Sequence, residues 1–454
     1  MPEKLVRTQV DVIRRLARRR AKGPLARCLS KSNANDISEA AAGMRRGEML
    51  FLVDQIEDNA LAGEVLLGLG DSHLLDVING IAVERISLWL SDMEPDDAAD
   101  VAARLPEEVQ EQVLRGLKRE DREEVEELMA WPEDSAGGIM SPVAFRLSET
   151  ATCREAIEAL HEQADVEMVF YVYVLNDAGQ LVGTCSLRNL LLNPPSTALK
   201  DIMTTDVVTV TPETDQEEVA ATTARHDLLA IPVVDESYQL IGIVTVDDVI
   251  DVLREEAAED LMLMAGVGES YDPQESSALA AVQIRVRWLL VTLVAGILLM
   301  TVIGRFDTTI RKHLIVAGLI PVLMAMSGNV GIQASTITVR NLATGHVTAV
   351  GGVGRLLLRE ARVGVLLGLF FGVILGAWSV LVGSGDARLM VGLAVGTSIC
   401  VSLTVAAVVG AFTPLLLDRF DVDPAVAAGP FVTTVIDLTG VLVFFGIFWA
   451  WPGI

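Results

Sequence analysis

The sequence is poor in the residues that build most soluble metal and catalytic sites. Among 454 residues it has four cysteines (Cys28, Cys153, Cys185 and Cys400), with no CxxC, and five histidines. A disulfide scaffold and a thiolate zinc site are therefore not expected, and the soluble part reads as cytoplasmic. No P-loop, nucleophile elbow or HExxH occurs, so the residues predict that the chain is not an enzyme. An apolar leader is missing as well. The first thirty residues are polar and Arg-rich, which predicts no cleaved signal. Positive charge is scarce: 35 Lys+Arg stand against 61 Asp+Glu, a formal net charge of −26. Such a body repels phosphate, so nucleic acid is not an expected partner.

The charge deficit is confined to one part of the chain. Residues 281–454 carry 11 Lys+Arg and 7 Asp+Glu, a net of +4; residues 1–280 carry 24 and 54, a net of −30. A single water-soluble globule cannot be built from two such halves. After Arg287, uncharged intervals run over 288–304, 313–339, 363–385, 389–417 and 424–436, the last continuing past one Asp. About 20 residues cross a hydrocarbon core of about 30 Å, so five spans are expected. With the acidic half inside, the inner loops hold Arg285, Arg287, Arg340, Arg355, Arg359, Arg362 and Arg419. The outer loops then hold Arg305, Arg311, Lys312 and Arg388. This balance predicts a multi-pass protein of the inner (plasma) membrane, N-terminus cytoplasmic and C-terminus outside.

Two spans are unlike a plain anchor. Span two contains Ser327 to Thr336 (SGNVGIQAST), and span five contains Gly429 to Gly440 (GPFVTTVIDLTG). Tight packing through small residues explains the glycines and serines as well as a pore does. Pro321 and Pro430 are expected to break helices and turn carbonyls toward a cavity. Asp437 is harder to explain as packing. It is the only acid after Pro424, and a carboxylate at mid-bilayer costs about 2.5–3.5 kcal/mol. Such a residue points to an ion or proton path.

In the acidic half, residues 35–130 repeat apolar residues at three- and four-residue spacing, as in Val109, Val113, Leu114 and Leu117. Short helices stacked as a superhelix are expected. Asp96 and Asp100 share a helix face there, a pattern that usually marks a solvated first turn. From residue 139 the period changes to strands. Met140 opens one copy of a repeat of about sixty residues and Met203 the other. The second copy, with Ile231-Pro232-Val233-Val234-Asp235 and Gly242 to Asp248 (GIVTVDD), resembles the CBS module. In nucleotide-binding CBS pairs a Thr or Ser and an Asp three residues on hold a ribose. Thr245 and Asp248 match this, whereas the first copy has Ser186 and Asn189. At most one adenine-nucleotide site is implied, with ATP as its ligand.

The whole chain resembles the MgtE-type magnesium channels and transporters. The resemblance is carried by Trp131 to Met140 (WPEDSAGGIM), Arg225 to Asp235 (RHDLLAIPVVD), Pro321 to Gly345 and Gly429 to Gly440, in that order. It implies a multidomain α + α/β membrane protein. The expected parts are a basic N-terminal segment (1–34), an acidic helical N domain (35–130) and a tandem CBS pair (131–253). An acidic connecting, or plug, helix (254–280) and a five-helix transmembrane pore domain (281–454) follow. It further implies a homodimer in membrane lipid, with Asp437 as the metal site of the pore and Mg2+ and other divalent cations as cargo. Asn329, Gln333, Thr433 and Thr434 would add neutral oxygens around a hydrated ion, since magnesium sheds water reluctantly. Cytosolic Mg2+ would be sensed by Asp96, Asp100, Asp227, Asp248, Asp251, Glu256, Glu259, Asp260 and Asp423. Two positions depart from the family pattern: His226 stands where Tyr is common, and Gly429 where some members have a polar residue.

The N-terminal Arg14, Arg15, Arg18, Arg19, Arg20 and Lys22 lie outside that pattern. A basic helix on anionic lipid, an arm docked on the acidic domain and a disordered tail all fit them. Three functions therefore compete. The first is a Mg2+-selective channel or transporter for uptake, closed by cytosolic Mg2+. The second is a proton- or sodium-coupled divalent exchanger, and the third a membrane-anchored CBS nucleotide sensor.

Overall fold

The computed structural model describes residues 2–162, 169–267, 278–343, 352–383, 387–420 and 422–451. The chain divides into two compact units, 1–254 and 255–454. The first begins with ten helices: α1 (Pro2–Arg18), α2 (Lys22–Leu29), α3 (Ala34–Ala42), α4 (Arg46–Val53) and α5 (Asn59–Leu67). Then come α6 (Asp71–Ile78), α7 (Val83–Ser91), α8 (Pro95–Ala103), α9 (Glu107–Gly116) and α10 (Arg119–Leu128). Local chemistry sets their starts: Asn33 caps α3 by accepting from Asp36 N at 2.8 Å, and Pro95 occupies the first turn of α8. Their apolar stripes meet in one core around Trp89, Met49, Leu52 and Leu66.

Of the three readings of the basic N-terminal segment, the structure takes the docked arm. Val10, Ile13 and Ala17 of α1, with Leu25 and Leu29 of α2, are buried in that same core. Arg14 donates to the Glu39 and Ala40 carbonyls, and Arg18 pairs with Glu48 at 3.5 Å. The apolar face formed by Val10, Ile13 and Ala17 is thus used inside the protein.

The CBS pair consists of two small sheets. In the first, β1 (Arg146–Ser148) runs parallel to β2 (Tyr171–Leu175), which is antiparallel to β3 (Leu181–Ser186). In the second, β4 (Ala230–Val234) pairs antiparallel with β5 (Leu240–Thr245). Helices α11 (Cys153–Glu162), α12 (Leu187–Leu192) and α13 (Gln216–Arg225) flank them. The repeat is exchanged between copies. Met140, which opens the first copy, packs on Gly242 of β5, while Met203, which opens the second, packs on Gly183 of β3. A side chain at either glycine would collide with that methionine, its Cβ lying 2.7 Å and 2.6 Å from the two sulfurs. Backbone bridges Ser141–Ile243 and Thr184–Thr204 fasten the same crossing.

Helix α14 (Val246–Met264) follows β5 directly and runs without a break through residue 254 into the second unit. The rest of the expected connecting helix, 268–277, lies outside the described residues. The second unit then holds α15 (Ala278–Arg305), α16 (Asp307–Lys312), α17 (Leu314–Ala343), α18 (Gly352–Val382), α19 (Arg388–Asp418) and α20 (Pro430–Ala450). Five of these, all but α16, are long and apolar enough to cross a membrane. Pro321 does not break its helix: it lies inside the continuous α17, and Pro430 starts α20, where its missing N–H costs nothing. Gly364, Gly368, Gly372 and Gly376 of α18 form a stripe along α19. A Cβ on any of them would sit 2.5–2.7 Å from the backbone of Thr404, Cys400, Gly396 or Gly392.

Candidate ion and regulatory sites

In the first unit the acids gather where α8 meets α14. Asp96 and Asp97 fall in the first turn of α8, where negative charge is favoured by the free N–H groups. Asp96 is 7% exposed, and its Oδ1 has no hydrogen-bond partner. Across from it, Thr245 ends β5, its hydroxyl within donating reach of both Asp247 Oδ1 and Asp248 Oδ2, the latter at 2.7 Å; its N–H reaches the same Asp248 oxygen at 3.4 Å. That contact holds Asp248 at the start of α14. Burial first, and then the charge of Asp248, push the Asp96 carboxyl well above its usual range. The same two causes raise Asp97 to about 7, with Glu94 and Asp100 adding to it. Asp248 is raised to about 6 by burial, against the opposing pull of the Thr245 hydrogen bond.

The structure thus brings together Asp96 and Asp248 of the sequence-derived set and adds Asp97. Asp100 lies exposed one turn along, its charge felt at Asp97. Asp251 is exposed, felt at Asp248, and paired with Arg254 at 2.9 Å. Asp227 is exposed in a left-handed turn (φ 51) after α13. Among the described residues, no group of three or more His, Cys, Asp or Glu could hold a metal ion as the side chains stand. The orphaned Asp96 oxygen and the mutual repulsion nevertheless fit a cation.

The second unit has a smaller acidic meeting point. Asp260, half-buried on α14, is raised by burial, then by Asp423, then by Glu256. Glu256 and Glu259 are half-buried beside it. Asp423 caps the 3-10 turn Pro424–Ala428, accepting from Ala425 N at 2.7 Å. Leu263, Val339 and Ala425 close a small apolar core there. Gly429 now has a reason: a Cβ would stand 3.1 Å from the Leu263 carbonyl and 3.2 Å from that of Met264. The end of α14 can approach the start of α20 this closely because residue 429 has no side chain.

In the membrane helices, Asp437 lies midway along α20 with Oδ1 buried and without a hydrogen-bond partner. Its neighbour on α17 is Gly328, where a Cβ would come to 3.9 Å of that oxygen and 3.8 Å of the Thr433 methyl. Thr433, one turn before Asp437, donates to the Gly429 carbonyl at 3.4 Å, and Thr434 is half-buried beside it. Asn329 and Gln333 are exposed, one turn apart on α17. Sequence reasoning missed Ser398 and Ser402 of α19, whose hydroxyls donate to the Phe444 and Gly440 carbonyls of α20 at 3.4 and 3.2 Å. Nothing in their apolar surroundings distinguishes them from packing residues until the helices are placed.

Family comparisons agree with this arrangement of parts. Residues 320–447 match the MgtE divalent cation transporter family, 32–134 the MgtE intracellular N domain, and 136–194 and 199–255 the CBS domain. A magnesium transporter MgtE from Thermus thermophilus is 35% identical over 88% of this chain and 89% of its own length. The chain belongs to the MgtE family. The Bacillus subtilis magnesium transporter MgtE is 34% identical over 82% of each chain. Among solved structures, the soluble part of a magnesium transporter is 27% identical, covering 56% of this chain and 99% of that one, with a TM-score of 0.51. The cytosolic domain of the Mg2+ channel MgtE in complex with ATP is 34% identical over 50% and 93%, with a TM-score of 0.48. In this MgtE chain the matched transporter region contains Gly328 and Asp437, and the second CBS match contains Thr245 and Asp248.

Proposed function

We propose that this protein is a Mg2+ channel of the plasma membrane, that its N-terminus is cytoplasmic, and that cytosolic Mg2+ closes it. The observation that carries the reading is Asp437: a carboxylate in an apolar span, its Oδ1 buried and unpartnered, set against a glycine of the neighbouring helix. A charge there costs about 2.5–3.5 kcal/mol unless a cation offsets it. Asp437 offers one negative charge, and Thr433, Thr434, Asn329 and Gln333 offer neutral oxygens to the water shell of the passing ion. A second copy of the chain, related by a two-fold axis, would double this charge on the pore axis.

For closure, the α8–α14 acids and the Asp260–Asp423 pair supply the sensor. Each packs carboxylate against carboxylate, an arrangement that a divalent cation relieves. Asp100 and Asp251 beside the first centre, and Glu256 and Glu259 beside the second, would serve as further ligands through water; Asp227 belongs to the proposed set by the family resemblance alone. An adenine-nucleotide site on the second CBS copy is a separate part of the reading and rests on the Thr245–Asp248 contact.

Single-channel recording in a planar bilayer tests the proposal. A channel gives unitary Mg2+ currents that vanish as magnesium rises on the cytosolic face. An exchanger or a tethered nucleotide sensor gives no unitary current.

A further inference from the structure

We infer that Ser402 is a positioning residue for Asp437: through the Gly440 carbonyl it fixes the rotation of α20 that presents the carboxylate. This rests on the pore reading of Asp437 above. With no hydrogen bond to its buried Oδ1, Asp437 is placed only by the helix that carries it.

That helix is fixed on both sides of the residue. Just before Asp437, the fully buried Ile436 fills the notch left by Gly331, where any Cβ would collide with its Cδ1. Gly331 is itself backed by α19, since a Cβ on Gly410 would collide with the Gly331 carbonyl. Three residues after Asp437, the Gly440 carbonyl accepts from Ser402 Oγ at 3.2 Å, in a fully buried bond. A Cβ on Gly440 would meet Ser327 Oγ of α17 at 3.3 Å, so α17 and α19 both close on this turn. At about 100° per residue, positions 436 and 440 fall on nearly the same face, with Asp437 beside it. The apolar knob resists separation of the helices. The hydrogen bond is directional and resists rotation.

Ser398 supplies an internal control. It makes the same kind of bond one turn along α19, to the Phe444 carbonyl at 3.4 Å, two turns beyond Asp437. A purely structural role predicts that the two serines behave alike; positioning predicts that they differ.

The full chain in planar bilayers decides between them, with Mg2+ over Na+ permeability read from reversal potentials and thermal unfolding read in detergent. Ser402→Ala should lower the permeability ratio about threefold, the scale of one interhelical hydrogen bond. Its unfolding temperature should match that of Ser398→Ala, which keeps the wild-type ratio. Ser402→Thr keeps the donor and should restore selectivity. If Ser402→Ala does not fold, Ser402→Cys, of similar volume but with a weak donor, is read the same way. A wild-type ratio after Ser402→Ala, an equal loss in both alanine variants, or no rescue by threonine overturns the inference. Asp437→Asn is recorded in parallel. If it conducts Mg2+ normally, the pore reading falls and takes this inference with it. If it is silent while Ser402→Ala is wild-type, only the positioning role falls.

Discussion

Acid should tighten the contact between α8 and α14. Asp96, Asp97 and Asp248 are packed there with carboxyls raised first by burial. The charge of Asp248 adds to this at Asp96 and Asp97, and those of Asp247 and Asp251 add at Asp248, so that Asp97 stands at about 7 and Asp248 at about 6 against 3.8. A raised carboxyl holds its proton more tightly in the packed state than in the opened one, so the packed state binds more protons and its stability falls as pH rises. The cost of Asp97 and Asp248 is absent below about pH 4, grows between about pH 4 and 8, and is complete above about pH 8. Between pH 5.5 and 8, Asp97 alone accounts for about 2 kcal/mol and Asp248 for about 1 kcal/mol. The charge of Asp248 is part of what raises Asp97, so the two figures overlap and about 2 kcal/mol in all, or about thirtyfold, is expected. Hydrogen exchange of residues 95–103 and 246–252 in the full detergent-solubilised chain measures it, with rates corrected for intrinsic exchange. Without divalent cations, protection should be about thirtyfold greater at pH 5.5 than at pH 8. Under the proposed function, Mg2+ should restore protection at pH 8 and add little at pH 5.5. Equal protection at both pH values, or protection that rises with pH, would refute the reasoning.

Three shorter expectations accompany it. Asp437→Asn should leave the protein folded and remove most Mg2+ uptake into dye-loaded liposomes, with Asp437→Glu partly active; full uptake by Asp437→Ala would end the pore reading. Asp248→Ala should weaken the calorimetric heat of ATP binding, and a wild-type protein that gives no heat with ATP would retire the nucleotide site. Gly368→Leu should push α18 off α19, because its Cβ would lie 2.6 Å from the Cys400 carbonyl. A loss of about 3 kcal/mol is expected, and an unchanged unfolding temperature in detergent would contradict the packing.

Much of this was readable from the sequence because its signals are long. Five uncharged intervals located five apolar helices, and the Met140 and Met203 openings located the two CBS copies. What the sequence could not contain was pairing at a distance. The exchange of Met140 onto Gly242 and Met203 onto Gly183 depends on where two sheets meet, sixty residues apart in register. Asp96 and Asp100 share a helix face, yet only Asp96 is buried against Asp248, while Asp97 joins it from the adjacent position. Helical spacing alone cannot distinguish them, because the partner helix selects the face. Pro321 illustrates the opposite case: the loss of one hydrogen bond, which predicts a break, is visible in the sequence, whereas the packing that keeps α17 continuous is not.

The acidic centres are costly to assemble, and that cost bears on how closure would work. Surface acids of this chain find partners readily, as in Asp54–Arg85, Asp71–Arg104 and Glu126–Arg122. The α8–α14 acids face other acids instead, and under the proposed function the repulsion that a cation relieves is the energy available for gating. Moving a two-state pore from 1:99 to 99:1 takes about 5.5 kcal/mol. The rise of the Asp97 carboxyl from 3.8 to about 7 corresponds to about 4 kcal/mol at most, and its largest cause is burial, which a cation does not return. Asp97 alone is therefore too weak, and under the proposed function Asp96, Asp248 and the Asp260–Asp423–Glu256 group share the remainder. Under the proposed function, closure divided in this way would be cooperative in magnesium and tolerant of single changes: Asp96→Ala should shift the closing concentration, whereas neutralising Glu256, Glu259 and Asp260 together should leave the channel open at high cytosolic magnesium. Patch recordings with magnesium stepped on the cytosolic face read both. Complete loss of closure from Asp96→Ala alone would show that one centre carries the switch and that the division of energy argued here is wrong.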